Sequence, residues 1–439
     1  MKVDESGEME MEVHILQEQF ELGESQMKLS PEVAISTFQK IFHYQGQDAN
    51  EDVVLRIKEN AIYQLGTLYT TLGKGAELSS LLSSCRPFFL TIPKAKTGKI
   101  VRTIIDMVSR ITSVGVNTLS LQHDLCMESI TWCNNEKHTF LRQRIEARLT
   151  AVLFEQGHFQ MALDLVTRLL KEIKKLDDKP LLVELHLIES RLHHALRNTP
   201  KAKAALTAAR SIANSVYIVP KTQAYIDMMS GTLHAEERDY KTSYSYFYEA
   251  FEAFNQLNDR EEALPALKYM LLSRIANGDA SDVQGTINSK NGIKYAGLDL
   301  DAMLAVAKAH EKRSLEEFQS VKKSYDVQLV QDPLIRRHLE LLYAKLLDAN
   351  LLKIIHPFSV VQVSHVASLI NLPVEDIEMK LSQMILDGKF HGILDQGKGH
   401  LLVYEQTQED EAYKCGLELI DNVDQVVGSL FRRAEHVTA

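Results

Sequence analysis

Pro180, Pro200 and Pro220 stand 20 residues apart. Proline fits the first turn of a helix and clashes inside one. This stretch therefore reads as helices of about 15–17 residues joined by turns of three or four. Two such helices make a unit of about 40 residues. The unit repeats as a turn followed by a helix start: Gly157-His158-Phe159-Gln160-Met161-Ala162, then Asn198-Thr199-Pro200-Lys201-Ala202, then Arg238-Asp239-Tyr240-Lys241-Thr242-Ser243. Ala162, Ala202 and Ser243 are small enough to let the two helices of a pair approach closely. Gly73 with Ala76, and Pro31 with Ala34, extend the series toward the N-terminus, and Asp279 with the SDVQGTI run extends it the other way. A unit near residue 116 is expected and poorly marked. Helix-pair repeats of this length are the signature of an α-solenoid, which offers an extended concave face rather than a closed pocket.

Composition agrees. The 439 residues hold 20 Gly and only 10 Pro, sparse punctuation that favours long helices. The windows 160–176, 181–197, 201–217 and 241–257 carry apolar residues at i, i+3, i+4 and i+7. In the last, Tyr244, Phe247, Tyr248, Phe251 and Phe254 fall within an arc of about 120°. That stripe reads as core of the helix stack. Tyr246 points about 160° away from it. Packing on the next helix layer is the plainer account of Tyr246, and a partner-facing aromatic is the sharper one.

After about residue 333 the rhythm changes. Pro333 opens a helix to Asn350, 351–358 reads as a short apolar strand, and 359–370 reads as a helix. Asn371-Leu372 makes a turn, and Pro373 opens a helix to Lys389 with Val374, Ile377, Leu381, Met384 and Ile385 buried. Residues 390–395 and 400–405 alternate around a glycine-containing turn and read as a hairpin. This order is a winged helix. Its second helix, the usual DNA reader, carries Glu375, Asp376, Glu378 and Asp387 against Lys380 and Lys389, and no arginine. Such a surface repels phosphate, so protein contact is the expected use. A final amphipathic helix runs from about 409 to 436, with Tyr413, Leu417, Ile420, Val427, Phe431 and Ala434 on one line that Asp424 interrupts. It either folds back on its own domain or packs with helices of other chains.

Signals of chemistry are weak. Gly98-Lys99 runs into Ile100 and Gly73-Lys74 into Gly75, so no phosphate loop is spelled. There is no GxSxG, HExxH or HxH. His193 and His194 are adjacent and face about 100° apart, while His186 and His193 offer two ligands where closed sites need three or four. No enzyme activity, metal or cofactor is expected. Cys85, Cys126, Cys133 and Cys415 form no CxxC pair and read as buried or free thiols in a reducing compartment. No apolar run approaches the roughly 18 residues of a membrane span, and the acidic N-terminus resembles neither a signal nor a transit peptide. Of the net charge of −10, residues 1–24 carry eight acids against one base, or −7, which leaves −3 for the other 415 residues. The first 24 residues read as a solvated, partly disordered tail, and no block reads as a nucleic-acid footprint.

An α-solenoid ending in a winged helix and a last helix is the architecture of the PCI-domain family, whose members build the proteasome lid, the signalosome and a translation-initiation complex. Several stretches resemble the proteasome-lid branch: KHTFLRQRIEARL (137–149), YSYFYEAFEAF (244–254), LKYMLLSRI (267–275), IHPFSVVQVSHVASLI (355–370) and, above all, KLSQMILDGKFHGILDQGKGHLLVYE (380–405). The likeness covers about 25–435. Residues 1–24, read from their charge as an acidic tail, and the weak unit near 116 depart from the family pattern. Over the rest the likeness implies a mostly α fold, with a right-handed solenoid of TPR-like helix pairs over 25–332, a winged helix over 333–406 and a C-terminal helix over 407–439. It implies a non-catalytic scaffold in cytoplasm and nucleus whose partners are other lid subunits, the ATPase ring and the α-ring of the core particle, with no nucleic acid or membrane. The winged helices of the family line up through the hairpin edge, which here is Phe390, His391 and Ile393 with Leu401 and Val403. The C-terminal helices join a bundle, which here uses Tyr413, Leu417, Ile420, Val427 and Phe431. A scaffold of the signalosome or translation-initiation type is the alternative.

Overall fold

A computed structural model describes residues 4–27, 30–44, 51–89, 91–109, 111, 118–404 and 411–438. The chain forms two compact units, residues 1–266 and 267–439.

The first unit is built from antiparallel helix pairs. Thr139–Glu155 pairs with Phe159–Leu176, Lys179–Ala195 with Thr199–Ala213, and Pro220–Glu236 with Tyr240–Gln256. Ala162, Ala202 and Ser243 are all fully buried at the pair crossings. The Ser190 hydroxyl donates to the carbonyl of Ala202 at 2.8 Å, and the Ser243 hydroxyl donates to that of Gly231 at 2.9 Å. Each bond crosses from one helix of a pair to the other and satisfies a buried hydroxyl.

A backbone device sets the beat. Residues 137, 157, 177, 197, 238, 258 and 278 all have φ between 55° and 105°. At Arg197 the residue after it, Asn198, donates its N–H to His193 O at 2.8 Å, while Arg197 N–H donates to His194 O at 3.0 Å. This is the Schellman closure of a helix C-terminus. Asn198 then caps the next helix, its Oδ1 accepting from Lys201 N–H at 3.4 Å. Arg238 and Asp239 repeat the arrangement. Two residues thus end one helix and start the next. Arg197 and Arg238 hold a left-handed conformation that costs a side-chain-bearing residue about 1–2 kcal/mol. Arg197→Gly should therefore raise stability by about 0.5–1 kcal/mol after the greater freedom of glycine in the unfolded chain is counted. A thermal melt checks this, and an unchanged or lower midpoint refutes it.

The N-terminus departs from expectation. Residues Asp4–Gln26 form a helix, where a solvated tail to residue 24 was expected. Leu16 is buried, Phe20 meets Phe38 edge-on with ring centroids 5.6 Å apart, and a Cβ on Gly23 would lie 2.7 Å from the Phe38 ring. Positions 16, 20 and 23 share one helix face, so a narrow apolar stripe anchors an otherwise acidic segment. The turn of the expected unit near 116 falls within 112–117, outside the described residues, and the helices Lys94–Ser109 and Thr118–Asn135 lie on either side of it.

The second unit joins the helices Leu298–Glu311, Leu315–Ser324 and Pro333–Ile355 to the winged helix. Pro333–Ile355 runs past Asn350, so 351–355 is helical and not a strand. Leu351 and Ile355 lie in the winged-helix core, which a buried helix satisfies as well as a strand does. The first strand, β1 (Val360–Gln362), takes up residues expected to be helical, and the helix Val363–Ile370 follows. After Val374–Leu386 come β2 (His391–Asp395) and β3 (His400–Tyr404). The sheet is antiparallel in the order β1-β3-β2, with Val360 opposite Leu402 and Leu402 opposite Ile393.

Candidate protein-interaction surfaces

The winged-helix sheet has one dry face and one wet face. Val361, Leu401 and Phe390 point into the core, at 5, 0 and 7% exposure. On the other face Val360, Leu402 and Ile393 form a cross-strand row, with Tyr404 opposite His391 one step along. Val360, Ile393 and Tyr404 are each about half exposed. Apolar side chains in adjacent strands at about 4.8 Å spacing make a continuous patch rather than scattered residues.

The five residues expected at the wing edge therefore separate. Leu401 and Val403 stand on β3, which is paired on both sides, so their backbone groups cannot accept a partner strand. Leu401 is wholly buried, and Phe390 is core. His391 and Ile393 lie on β2, an outer strand of the described sheet. The cause is β1: a third strand moves the hairpin's second strand to the centre. Reading 359–370 as helix hid both that pairing and the outward Val360.

The reader helix Val374–Leu386 is not equipped for phosphate. Lys380 and Lys389 both reach Asp348 of the preceding long helix, at 3.0 and 2.6 Å. Those cations are held within the fold, leaving the acidic side chains to set the surface field.

The C-terminal helix Glu411–Thr438 exposes its apolar side chains. Tyr413, Leu417, Ile420, Val427 and Phe431 are 49–69% exposed, so none of the five folds back onto the winged helix. Leu419, Val423, Val426 and Leu430, also exposed, form a second line beside the first. At 100° per residue the two lines span about 180° of the helix. An arc that wide exceeds the narrow seam of a two-stranded coiled coil and fits a helix flanked by two neighbours. Asp424 stands inside the first line.

Other candidates resolve into packing. Phe247, Phe251 and Phe254 are buried, but Tyr248 is 46% exposed and stacks on Tyr244 at the stripe's edge, with centroids 6.4 Å apart. The core of that helix is therefore centred on Phe247, Phe251 and Phe254. Tyr246 stacks on His234, and Arg210 lies 4.8 Å over its ring while donating to its hydroxyl at 3.0 Å. This is an intramolecular stack between helix layers. His186 pairs with Glu189 at 2.9 Å and His194 with Glu236 at 3.2 Å. Among the described residues no three acidic, histidine or cysteine side chains gather as metal ligands. Burial pushes the thiols of Cys85 and Cys126 up to about 12 and that of Cys133 to about 11, which suppresses the reactive thiolate. Cys415 is exposed. Among the described residues no helix is long and apolar enough to cross a membrane.

Three family models match. Residues 16–156 match the 26S proteasome regulatory subunit RPN6 N-terminal domain, 322–405 the PCI domain, and 409–435 the 26S proteasome subunit RPN6 C-terminal helix domain. The chain is 53% identical over 383 residues to the 26S proteasome non-ATPase regulatory subunit 11 homolog of Arabidopsis thaliana, covering 87% of this chain and 90% of that protein. It is 47% identical over 406 residues to 26S proteasome non-ATPase regulatory subunit 11 of Dictyostelium discoideum, covering 92% and 96%. It is 42% identical over 381 residues to the 26S proteasome regulatory subunit RPN6 of Saccharomyces cerevisiae, covering 86% and 87%.

Proposed function

Because this chain belongs to the RPN6 family of 26S proteasome regulatory subunits, we propose that it is a non-catalytic scaffold of the proteasome lid, holding other subunits in place during degradation of ubiquitinated proteins. The observation that carries this reading is the C-terminal helix. It presents nine large apolar side chains to solvent and buries none of them in its own domain. A surface of this kind is stable in water only when other helices cover it. Tyr413, Leu417, Ile420, Val427 and Phe431 are the contacts of one neighbouring helix, and Leu419, Val423, Val426 and Leu430 those of a second. In the winged helix, His391 and Ile393 on β2 meet an adjacent lid subunit, with Val360, Leu402 and Tyr404 adding apolar area. The N-terminal helix pairs reach the ATPase ring and the α-ring of the core particle. The compartments are cytoplasm and nucleus, where the thiols stay reduced.

The test is affinity capture of the tagged full chain from cell extract, followed by a native gel overlaid with a fluorogenic peptide. Comigration with peptidase activity in the capped-proteasome bands is expected. Migration in another large complex without peptidase activity would replace this reading with a PCI scaffold of the signalosome or translation-initiation type.

A further inference from the structure

The repeat period carries more than the fold. Positions 144, 184 and 225 are equivalent in three successive helix pairs, 40 and 41 residues apart, and hold Arg144, Glu184 and Tyr225. All three line one groove of about 520 Å³ in the first unit. Its floor is apolar, with Ile145 and Ala147 buried beneath it and Ile188 half-buried. This size and lining suit a short ligand segment.

The polar groups are unequally satisfied. Arg102, Arg144 and Arg148 come from the facing helices Lys94–Ser109 and Thr139–Glu155. Arg148 Nε is 3.4 Å from Asp106, yet this buried nitrogen makes no hydrogen bond. Arg144 has Asp178 at 3.6 Å, too far for a hydrogen bond. Arg102 donates Nε to Gly98 O of its own helix at 3.0 Å and has no ion pair among the described residues. The carboxylates at the other side are differently placed. Glu262 accepts the Tyr225 hydroxyl at 2.8 Å. Glu184 is open to solvent but ringed by protein on the groove wall, a crowding that raises its pKa against the pull of Arg144 and Arg102.

We propose that this groove binds an extended peptide segment of a partner protein, with one carboxylate side chain among Arg102, Arg144 and Arg148 and flanking apolar side chains on the floor. A planar guanidinium fork matches a carboxylate with paired, charge-assisted hydrogen bonds. Glu155, Glu184 and Glu262 line the same groove and repel a polyanion, so a single acidic residue fits where a nucleic-acid strand does not.

The probe is a fluorescein-labelled octapeptide with one central Glu flanked by Leu and Ser, compared with its Gln twin by anisotropy on the full chain. The Glu peptide should bind saturably, and the Gln twin at least about tenfold more weakly. Arg102→Gln with Arg144→Gln should bring the Glu peptide to the level of the Gln twin while the thermal midpoint holds. Glu184→Gln removes the competing carboxylate and should tighten the Glu peptide, an independent check should the double variant misfold. No saturable binding up to about 1 mM, equal binding of the two peptides, or tighter binding of a single-stranded oligonucleotide would overturn the proposal.

Discussion

A chain carrying Leu417→Asp and Phe431→Asp is expected to fold normally and to be missing from capped proteasomes. Both side chains are exposed, 49% and 66%, so neither carboxylate is buried in the free chain. Surface changes of this kind usually move stability by no more than about 0.5 kcal/mol. In a helix bundle the same two positions lie on one apolar line and are covered. An unpaired carboxylate in such a contact costs several kcal/mol. At about 1.4 kcal/mol per factor of ten, two of them should lower incorporation at least about 100-fold. Gln425→Lys is the control. It lies roughly 170° from the middle of the apolar arc, so charge there should leave incorporation intact. The readout is the tagged variant's share of the capped-proteasome bands on a native gel. Full incorporation of the double variant would dismiss the bundle contacts.

Phe247→Ala should be the most damaging single truncation in the repeat array, at about 3–5 kcal/mol. Phe247 is 1% exposed and lies against Gly231 of the partner helix, where an added Cβ would stand 2.7 Å from the ring. The absence of a side chain at 231 is what makes room for the ring. Gly231→Ala alone should therefore also destabilise, by about 1–3 kcal/mol, through crowding. The pair must be non-additive: once the ring is gone, Gly231→Ala has nothing to strike and should cost little or restore some stability. Trp132, the single tryptophan, sits in the same unit against Phe89 and His138 and reports its unfolding by fluorescence. Additive effects of the two substitutions would show that the ring and the glycine do not share a site.

Much of this molecule is legible along the chain because repeats encode their own contacts. A helix pair buries its stripe against its neighbour, so the 20-residue proline beat and the small residues at 162, 202 and 243 suffice to place the crossings. The left-handed turn residues continue the same beat, but five of them are Lys137, Asp177, Arg197, Arg238 and Asn258 rather than glycine. Without glycine the sequence does not announce a positive φ, and the two flanking helices impose it. The acidic helix 4–26 was concealed in a similar way: exposed Ile15 and Leu22 blur the periodicity of the docking Leu16 and Phe20 among many acids, and Phe38 from the next helix supplies the docking surface.

The candidate surfaces divide along the same line. The sequence by itself determined that a C-terminal helix carries an apolar line through Tyr413, Leu417, Ile420, Val427 and Phe431, because side-chain direction on a helix follows from residue number alone. It also determined the hairpin of His391–Asp395 and His400–Tyr404, because turn and alternation are local. Only the tertiary structure decided that Val360–Gln362 adds a third strand beside His400–Tyr404. That pairing joins residues some 40 positions apart and rests on which backbone groups find partners, which no local pattern specifies. It left Ile393 on an outer strand, buried Leu401, and turned Val360 toward solvent.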